Sequence, residues 1–207
     1  SNTFYRLSVT DSGIGCGLVN SDPAKINVFE SPLISVQPTD DEVCIDQTHT
    51  FTVVAAGNVP SSALLYQWQT AASLAGPYTN VTAGNGGTTA LYTTPTYTTE
   101  GNRYFRVLIS QSQSGCQTIS NNVTLKVFDK PLAPIGDVTQ QPSCDNVSGT
   151  VSITNPDLGT GYEYSKDGVV FQASNIFSNL PSGSVQIYVR RIGLNTCISP
   201  AKTFTIF

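Results

Sequence analysis

A stretch of this chain occurs twice. Residues 3–16 (TFYRLSVTDSGIGC) recur one hundred positions later as residues 103–116 (RYFRVLISQSQSGC), so that Cys16 matches Cys116. Self-similarity at a fixed offset is the signature of an array of similar modules. The 207 residues therefore predict a string of small domains, and the phase of the repeat predicts that the chain begins inside one of them.

The composition is typical of an extracellular β protein. Charged residues make up 12% of the chain and methionine is absent, whereas Thr, Ser, Asn, Gly and Val are frequent. The net charge of −4 argues against nucleic acid as a partner, because binding a phosphate backbone requires clustered Lys and Arg. The sequence has no run of about 18 apolar residues, so we expect no direct membrane insertion.

Two proline-marked junctions predict the module boundaries. Each follows a strand-like segment that ends in Val-Phe: Phe29 precedes Pro32, and Phe128 precedes Pro131. Proline cannot donate to a β-ladder and it stiffens a linker. The predicted units are residues 1–30, the C-terminal hairpin remnant of an immunoglobulin-like module; residues 31–129, a complete module; and residues 130–207, a third module.

The complete modules consist of short strand-like runs separated by turn-rich segments. Regular short strands of this kind predict an antiparallel β-sandwich. In the segment YQWQ, Tyr66 and Trp68 alternate with glutamines, which predicts that the indole lies in the core between two sheets. The predicted fold is therefore all-β, with tandem immunoglobulin-like antiparallel β-sandwich modules. The expected core of the middle module includes Tyr66, Trp68, Phe105 and Val107.

One turn in the third module has a specific signature. Asp167-Gly168 lies between two strand-like runs, and this dipeptide tolerates the positive φ angles of a type I′ turn. The sequence therefore predicts a tight β-hairpin there. The longest strand of this module is expected later in the chain, with Val185, Ile187 and Val189 on one face.

The five cysteines are far apart in the sequence and contain no CxxC pair, which predicts disulfides in an oxidising compartment instead of a zinc or redox site. The simplest pairing lies within modules, with Cys44 bonded to Cys116 and Cys144 bonded to Cys197. Cys16 would then lack a partner in this chain. We favour this scheme because each module remains an independently foldable unit.

A geometric difficulty keeps a second scheme open. In a plain seven-strand sandwich, the start of strand B and the end of strand F lie at opposite poles, whereas a disulfide requires Cα atoms within about 7 Å. Either the segment bearing Cys44 runs beside the loop between strands F and G, or the bridges join neighbouring modules. A cross-module scheme would pair Cys44 with Cys197.

Candidate catalytic and metal-binding residues are few. The lone His49 has no accompanying nucleophile motif, so we interpret it as a solvent-facing strand residue and predict no enzyme activity. Asp40, Asp41 and Glu42 form the densest acidic cluster and could bind Ca²⁺. Three consecutive carboxylates in a loop are usually solvated, and the DxDxDG spacing is absent, so no cofactor is expected.

Three tyrosines are the best candidates for a sugar-binding platform. Tyr78, Tyr92 and Tyr97 lie near predicted loops, where stacked rings could contact a carbohydrate. The alternative is that these rings cover sheet edges and fill the sandwich. This alternative is the interpretation that we prefer.

The two complete modules resemble known repeats. The middle module resembles the immunoglobulin-like repeats of large Bacteroidetes surface proteins, and the third is similar to the SprB-type repeat of gliding-motility adhesins. The middle resemblance is carried by Cys44, Tyr66-Gln67-Trp68, Tyr104-Phe105-Arg106-Val107 and Gly115-Cys116. The third is carried by Cys144, Ser148-Gly149-Thr150, Tyr162-Glu163-Tyr164-Ser165, Asp167-Gly168, Leu180-Pro181-Ser182-Gly183 and Cys197.

This resemblance implies a function. It implies export by the type IX secretion route to the bacterial cell surface, and a role as the stalk or adhesive segment of a gliding or attachment adhesin. The expected partners are neighbouring modules of the same chain, and a surface polysaccharide or protein. The alternative hypothesis is a carbohydrate-binding accessory region of a secreted enzyme, which an exposed pair of coplanar aromatic rings would favour.

Overall fold

Alternating apolar and polar segments form short strands along the whole chain. The computed structural model describes residues 2–10, 17–59 and 62–207, and in these ranges the regular structure is all-β. Cys16 lies outside the described residues, so its predicted lack of a partner stays a prediction. Within these ranges, no helix is long and apolar enough to cross a membrane.

The N-terminal residues form two antiparallel strand pairs with exposed side chains. The first strand pairs with the fourth, and the second pairs with the third. Tyr5, Leu7 and Val9 are each more than half exposed, and so is Val28 at the end of this segment. The four strands are β1 (Asn2–Tyr5), β2 (Ser8–Val9), β3 (Val19–Asn20) and β4 (Ala24–Asn27).

Residues 33–128 form a two-layered sandwich, which we call the middle sandwich. Its strands are β5 (Leu33–Val36), β6 (Asp41–Cys44), β7 (Thr50–Thr52), β8 (Val54–Ala56), β9 (Leu64–Ala71), β10 (Thr79–Asn80), β11 (Leu91–Thr93), β12 (Gly101–Gln111), β13 (Gln117–Ile119) and β14 (Val123–Phe128). The larger sheet has the order β10-β9-β12-β14-β6, with β13 also paired to β12. The opposing layer consists of the pairs β11-β7 and β5-β8.

Trp68 is the centre of the middle sandwich. It is fully buried and stacks between Phe51 and Tyr92, with ring centroids 5.8 Å and 5.7 Å away. Its Nε1 donates to the Thr89 carbonyl at 2.9 Å, so the polar edge of the indole is satisfied. The expected core residues lie in this cluster: Trp68, Phe105 and Val107 are buried, and Tyr66 packs against them with partial exposure.

The sixth strand has a parallel partner. β6 pairs with β14 in parallel, and the register ends with Cys44 opposite Phe128. The Asp40 carboxylate extends this contact by accepting a hydrogen bond from the Thr124 N–H at 2.7 Å. Cys44 therefore lies at the pole of the sandwich where β14 ends and the chain leaves for the next unit.

The last third of the chain forms a second sandwich, which we call the C-terminal sandwich. Its strands are β15 (Ile135–Gln140), β16 (Gly149–Asn155), β17 (Tyr162–Ser165), β18 (Ile176–Leu180), β19 (Gly183–Arg191) and β20 (Lys202–Ile206). Two three-stranded sheets, β15-β16-β18 and β17-β19-β20, enclose a separate core. Ile187 and Val189 are fully buried there, and Val185 packs against them, so the predicted shared face is the core face.

The chain folds back at Asp167-Gly168 as predicted, but the predicted type I′ turn is wrong. Gly168 has a φ of 74°, but Asp167 is not in the left-handed region. The Asp167 carboxylate instead accepts hydrogen bonds from the N–H groups of Val169 and Val170, both at 2.8 Å. A bridge between Tyr164 and Gln172 closes this wider loop, in which the side chain replaces the expected backbone turn.

In the described residues, one hydrogen-bond motif occurs three times. An apolar residue and a serine of the following segment form two hydrogen bonds: the serine Oγ accepts from the N–H of the apolar residue, and the serine N–H donates to its carbonyl. The three pairs are Leu7 with Ser21, Val107 with Ser120 and Val189 with Ser199, at distances of 2.8 to 3.0 Å. Each serine hydroxyl also donates to the next carbonyl, those of Asp22, Asn121 and Pro200.

The strand registers around these serines agree as well. In all three units, the residue two positions before the apolar residue pairs with the residue three positions after the serine. The equivalent pairs are Tyr5 with Ala24, Phe105 with Val123, and Ile187 with Lys202. The N-terminal strands therefore share the register of the corresponding strands in the two sandwiches.

The serine motif yields a stability prediction. Replacing Ser120 by alanine removes both hydroxyl bonds and leaves the buried Val107 N–H without its acceptor. We expect Ser120→Ala to lower the free energy of unfolding by about 1–3 kcal/mol. Urea titration followed by the fluorescence of Trp68, the single tryptophan, reports on the middle sandwich.

Ser112→Ala is the matched control for this measurement. The exposed Ser112 hydroxyl lies 3.3 Å from that of Ser62, so its loss should change stability by less than about 0.5 kcal/mol. Equal effects of the two substitutions would show that the motif does not stabilise the sandwich.

Candidate functional site: the junction at Cys44 and Cys197

A disulfide joins the two sandwiches. Cys44 at the end of β6 is bonded to Cys197, which follows β19, with the two Cα atoms 5.5 Å apart. Both residues are buried, with exposures of 1% and 0%. The pairing that we favoured, Cys44 with Cys116 and Cys144 with Cys197, is therefore wrong. The cross-module alternative is the one that the structure contains.

The parallel direction of β6 explains this outcome. Because β6 runs alongside β14, Cys44 lies where β14 ends, at the pole that faces the C-terminal sandwich. Cys116 lies in the connection from β12 to β13, and its Sγ is 3.6 Å from the carbonyl oxygen of Phe29, in the N-terminal segment. The two cysteines therefore face different neighbours, and Cys116 and Cys144 are free thiols.

The linker between the sandwiches passes directly beside the disulfide. The carbonyl oxygen of Asp129 lies 3.9 Å from the Sγ of Cys44 and 3.7 Å from the Sγ of Cys197. The Ile45 N–H donates to the Phe128 carbonyl at 2.8 Å, which continues the pairing of the two segments past the strand ends. Lys130 forms an ion pair with Asp46 at 3.2 Å on the exposed side.

An arginine of the C-terminal sandwich packs against the end of β14. The guanidinium carbon of Arg191 lies 4.3 Å from the centroid of the Phe128 ring and 5.2 Å from that of Tyr162. Cation–π contacts of this kind contribute about 0.5–2 kcal/mol, more where water is excluded. The neighbouring Arg190 binds Glu163 through two nitrogens at 2.8 and 2.9 Å, within its own sandwich. The junction therefore has covalent, ionic and aromatic contacts.

The acidic cluster does not form a metal site among the described residues. It was expected to be a loop, but Asp41 and Glu42 belong to β6. The three carboxylates have different partners. Asp40 accepts a hydrogen bond from the Thr124 N–H, the Asp41 carboxylate lies 3.1 Å from the Nδ1 of His49, and the Glu42 carboxylate lies 4.0 Å from the Nζ of Lys126. In the described part of the chain, no group of three metal-ligating side chains comes together.

His49 is more enclosed than the sequence suggested. Its side chain is 18% exposed and packs edge-on against Phe51, with ring centroids 4.5 Å apart. Burial lowers the pKa of His49 below its ordinary value of 6.5, and the nearby Asp41 carboxylate opposes this shift. The interpretation of a solvent-facing histidine is therefore wrong.

The three candidate ligand tyrosines do not form a common platform. Tyr92 is 2% exposed, its hydroxyl donates to the Ala83 carbonyl, and burial raises its pKa to about 12. It is a core residue and offers no face to a sugar. Tyr78 and Tyr97 are partly exposed, but the guanidinium groups of Arg106 and Arg103 lie 4.3 and 5.0 Å from their ring centroids.

Comparisons with known proteins concern the fold. No protein-family model matches the chain, and no curated protein matches it. The FN1-FN3 domains of chicken CNTN1 are 16% identical, with a TM-score of 0.49, over 99% of this chain and 75% of that chain. Immunoglobulin domains 1-4 of Sidekick-1 are 13% identical, with a TM-score of 0.43, over 98% of this chain and 57% of that chain.

A bacterial structure is also among the solved structures to which the chain is similar. The fibronectin(III)-like modules of Clostridium thermocellum CbhA are 10% identical, with a TM-score of 0.43, over 85% of this chain and 93% of that chain. These identities are too low to indicate a shared function. The prediction of an all-β fold with tandem β-sandwiches is confirmed by the strand order of the sheets.

Sequence reasoning missed most of the junction. Asp129 and Lys130 were predicted only as part of a module boundary, and no motif indicated a role for Arg191. One sequence signal for the junction was available. The dipeptide Val-Phe ends both the N-terminal segment and β14, and this repetition indicates that Phe128 lies at the pole beside the linker. Contacts between Phe128 and Arg191 depend on the orientation of two units, which no local pattern specifies.

The disulfide assignment is directly testable. Proteolysis without reductant, after alkylation of free thiols, should yield one peptide pair that joins Cys44 to Cys197, with Cys116 and Cys144 alkylated. The measurement is mass spectrometry of the digest before and after reduction. A linked peptide containing Cys44 and Cys116 would contradict the structure. Cys197→Ser is the control, because it should leave Cys44 alkylated.

The enclosed histidine predicts a pH-dependent stability. Because the pKa of His49 is lower in the folded chain than its unfolded value of 6.5, the unfolded state takes up the proton first as the pH falls. The stability that the folded chain gains by keeping His49 neutral is therefore lost as the pH decreases below about 6.5. Urea midpoints measured at several pH values should fall less steeply over this range in His49→Gln than in the parent chain. An unchanged slope would show that His49 does not titrate in this way.

Proposed function

We propose that this chain is a non-catalytic, load-bearing segment of a secreted multi-module protein. The proposed modules are residues 1–30, the last hairpin of an immunoglobulin-like module; residues 31–129, an immunoglobulin-like sandwich; and residues 130–207, a sandwich similar to the SprB-type repeat. The observation that carries this proposal is the Cys44–Cys197 disulfide, which joins the two complete units at the pole where the chain passes from one to the other. A bond at that position limits both bending and separation of the units.

The disulfide also changes the path that a pulling force follows. It closes a loop of 153 residues that contains the buried core of the middle sandwich and all of the buried C-terminal core except Phe204 and Ile206. When the ends of the chain are pulled, the covalent path runs from residue 44 directly to residue 197. At about 3.3–3.6 Å per extended residue, roughly 500 Å of chain is thereby withheld from extension. A stalk that must transmit force without lengthening benefits from this arrangement.

A cell-surface adhesin is the setting that fits these properties. A structural disulfide requires an oxidising compartment, and the low charge of the chain is typical of extracellular modules. The resemblance to gliding-motility adhesins of the SprB type supports export by the type IX route and a role in gliding or attachment. The partners are then adjoining modules, and at the tip of the protein a surface polysaccharide or protein.

The rival hypothesis of a carbohydrate-binding accessory region receives less support. It requires an exposed pair of coplanar rings beside polar groups. Tyr92 belongs to the core, and one arginine lies over each of Tyr78 and Tyr97. Saturable binding in a glycan-array screen would restore this hypothesis.

Force spectroscopy tests the load-bearing role. Chains held by their two ends should lengthen fully only after reduction, with the reduced form gaining roughly 500 Å of contour length over the oxidised form. Cys44→Ser should show the longer extension with or without reductant. Cys144→Ser is the matched control, because this exposed free thiol takes no part in the Cys44–Cys197 bond. This substitution should leave the difference in contour length between the oxidised and reduced forms unchanged.

Equal contour lengths in the oxidised and reduced parent chain would contradict the proposal. The same result would follow if the bond did not lie on the path of the force. The peptide map described above separates a missing bond from a bond that carries no load.

A further inference from the structure

Among the described residues, no hydrophobic core covers one apolar face of the N-terminal segment. By the register equivalence, Tyr5, Leu7 and Val9 correspond to Phe105, Val107 and Ile109 of β12. The three β12 residues are 1%, 0% and 0% exposed, whereas their N-terminal counterparts are 58%, 66% and 55% exposed. The side chains are apolar in both places, so the N-terminal strands carry the pattern of a sandwich whose other strands they lack.

The outer edge of β4 is also open among the described residues. In the middle sandwich, β14 lies between β12 and β6, with β6 parallel to it. Its counterpart β4 pairs with β1, and the described chain places no strand on its other side. The missing neighbour would be a parallel strand, and at its end, opposite Phe29, would stand the residue equivalent to Cys44.

Cys116 faces that position. Its Sγ lies 3.6 Å from the carbonyl oxygen of Phe29, the residue that ends the N-terminal segment. The Sγ of Cys197 lies 3.7 Å from the carbonyl oxygen of Asp129, one residue after the equivalent Phe128. Both cysteines lie in the connection that follows the long strand of their unit. Cys116 therefore has the position of Cys197 one junction earlier, but it has no bonded partner in the described chain.

We propose that Cys116 is one half of a second junction disulfide, whose other half is a cysteine of a preceding module of this same kind. That cysteine lies at the end of a strand parallel to β4, and the strands of the same module cover Tyr5, Leu7 and Val9. The proposal rests on the modular array argued above and names its next partner. It is specific about register: the bonded cysteine stands opposite Phe29, as Cys44 stands opposite Phe128.

The same scheme gives Cys144 a role at the other end of this segment, as the cysteine that bonds to a following module. Gln141 accepts a hydrogen bond from the Phe207 N–H at 2.9 Å, and its amide donates to the Thr205 carbonyl at 3.4 Å. The segment leading to Cys144 therefore contacts the end of the last strand through the side chain of Gln141. The exposed Cys144 thiol takes the role of Cys44 toward a following module.

The bond forms by ordinary thiol–disulfide exchange. The Cys116 thiolate attacks a disulfide oxidant, such as oxidised glutathione or a disulfide-donating enzyme, and releases one thiol of that oxidant. The partner cysteine then attacks the mixed disulfide and releases the second thiol. Two thiols of the protein are thus oxidised to one disulfide while the oxidant is reduced to two thiols.

A chain that supplies the missing strands provides the main test. Residues 31–102, joined in front of residues 3–207, create a hybrid module in which the copied strands precede the N-terminal hairpin at the position that the internal repeat defines. In an oxidised glutathione buffer, the peptide map should show the copied Cys44 bonded to Cys116 and the original Cys44 bonded to Cys197. The control replaces the copied Cys44 by serine and should leave Cys116 alkylated.

Folding of the hybrid module is measured independently through the burial of its own copied tryptophan. If that tryptophan is buried, the original Cys44–Cys197 bond is present and Cys116 remains alkylated, the proposal is wrong. The load-bearing role would survive this result, because it depends on the Cys44–Cys197 bond alone.

A second experiment decides the matter if the hybrid module does not fold. The peptide of residues 38–46 (PTDDEVCID), carrying Cys44 as its mixed disulfide with glutathione, is added to the full chain with Cys16 and Cys144 replaced by serine. Pairing with the open edge of β4 should make capture of Cys116 about tenfold faster than with a peptide of scrambled order. Equal rates would show that β4 does not receive such a strand, which overturns the proposal.

Discussion

The parallel pairing of β6 with β14 is the constraint on which the rest of the junction depends. Strand β14 leads directly into the linker, so its partner in parallel must end at the same pole. Cys44 is therefore carried to the linker and to the C-terminal sandwich, and away from Cys116. An antiparallel partner would have placed this cysteine at the other pole, where a bond to Cys197 would exceed the reach of a disulfide. One strand direction thus decides which units are joined covalently.

The bond couples the stability of two cores that are otherwise separate. Its loop of 153 residues contains the buried middle core and most of the buried C-terminal core, so the unfolded chain is constrained across both sandwiches at once. In the chain-entropy model a loop of this length contributes roughly 5 kcal/mol, which is comparable to the net stability of a small domain. A bond within each sandwich would have stabilised each core alone. The observed bond also restrains the orientation of one sandwich relative to the other, together with the contact of Arg191 and Phe128.

Local patterns predicted the interior of each unit well. The alternation around Trp68 identified its core position, and the internal repeat identified a segment whose strand register matches that of β12, because both signals act within a few residues or between similar segments. The junction was not predictable in this way. The strand that carries Cys44 begins with Asp41 and Glu42, residues that are uncommon in strands, so the segment resembled a solvated loop. Its pairing with β14, more than eighty residues later, is non-local and leaves no periodic signal.

A repeated junction bond would give the array a property that no single module has. Cys116 and Cys144 are 28 residues apart, and both lie inside the loop closed by Cys44 and Cys197. If Cys116 is bonded to a preceding module and Cys144 to a following one, each loop overlaps the next, and the covalent path through this part of the array shortens to those 28 residues. That path contains β13, β14, the linker and β15, and the remaining strands of both sandwiches lie outside it. A pulling force would therefore act on these segments and would bypass the other strands. Resistance to extension would come from the order of the cysteines along the chain, and the sandwiches would supply the geometry that pairs them.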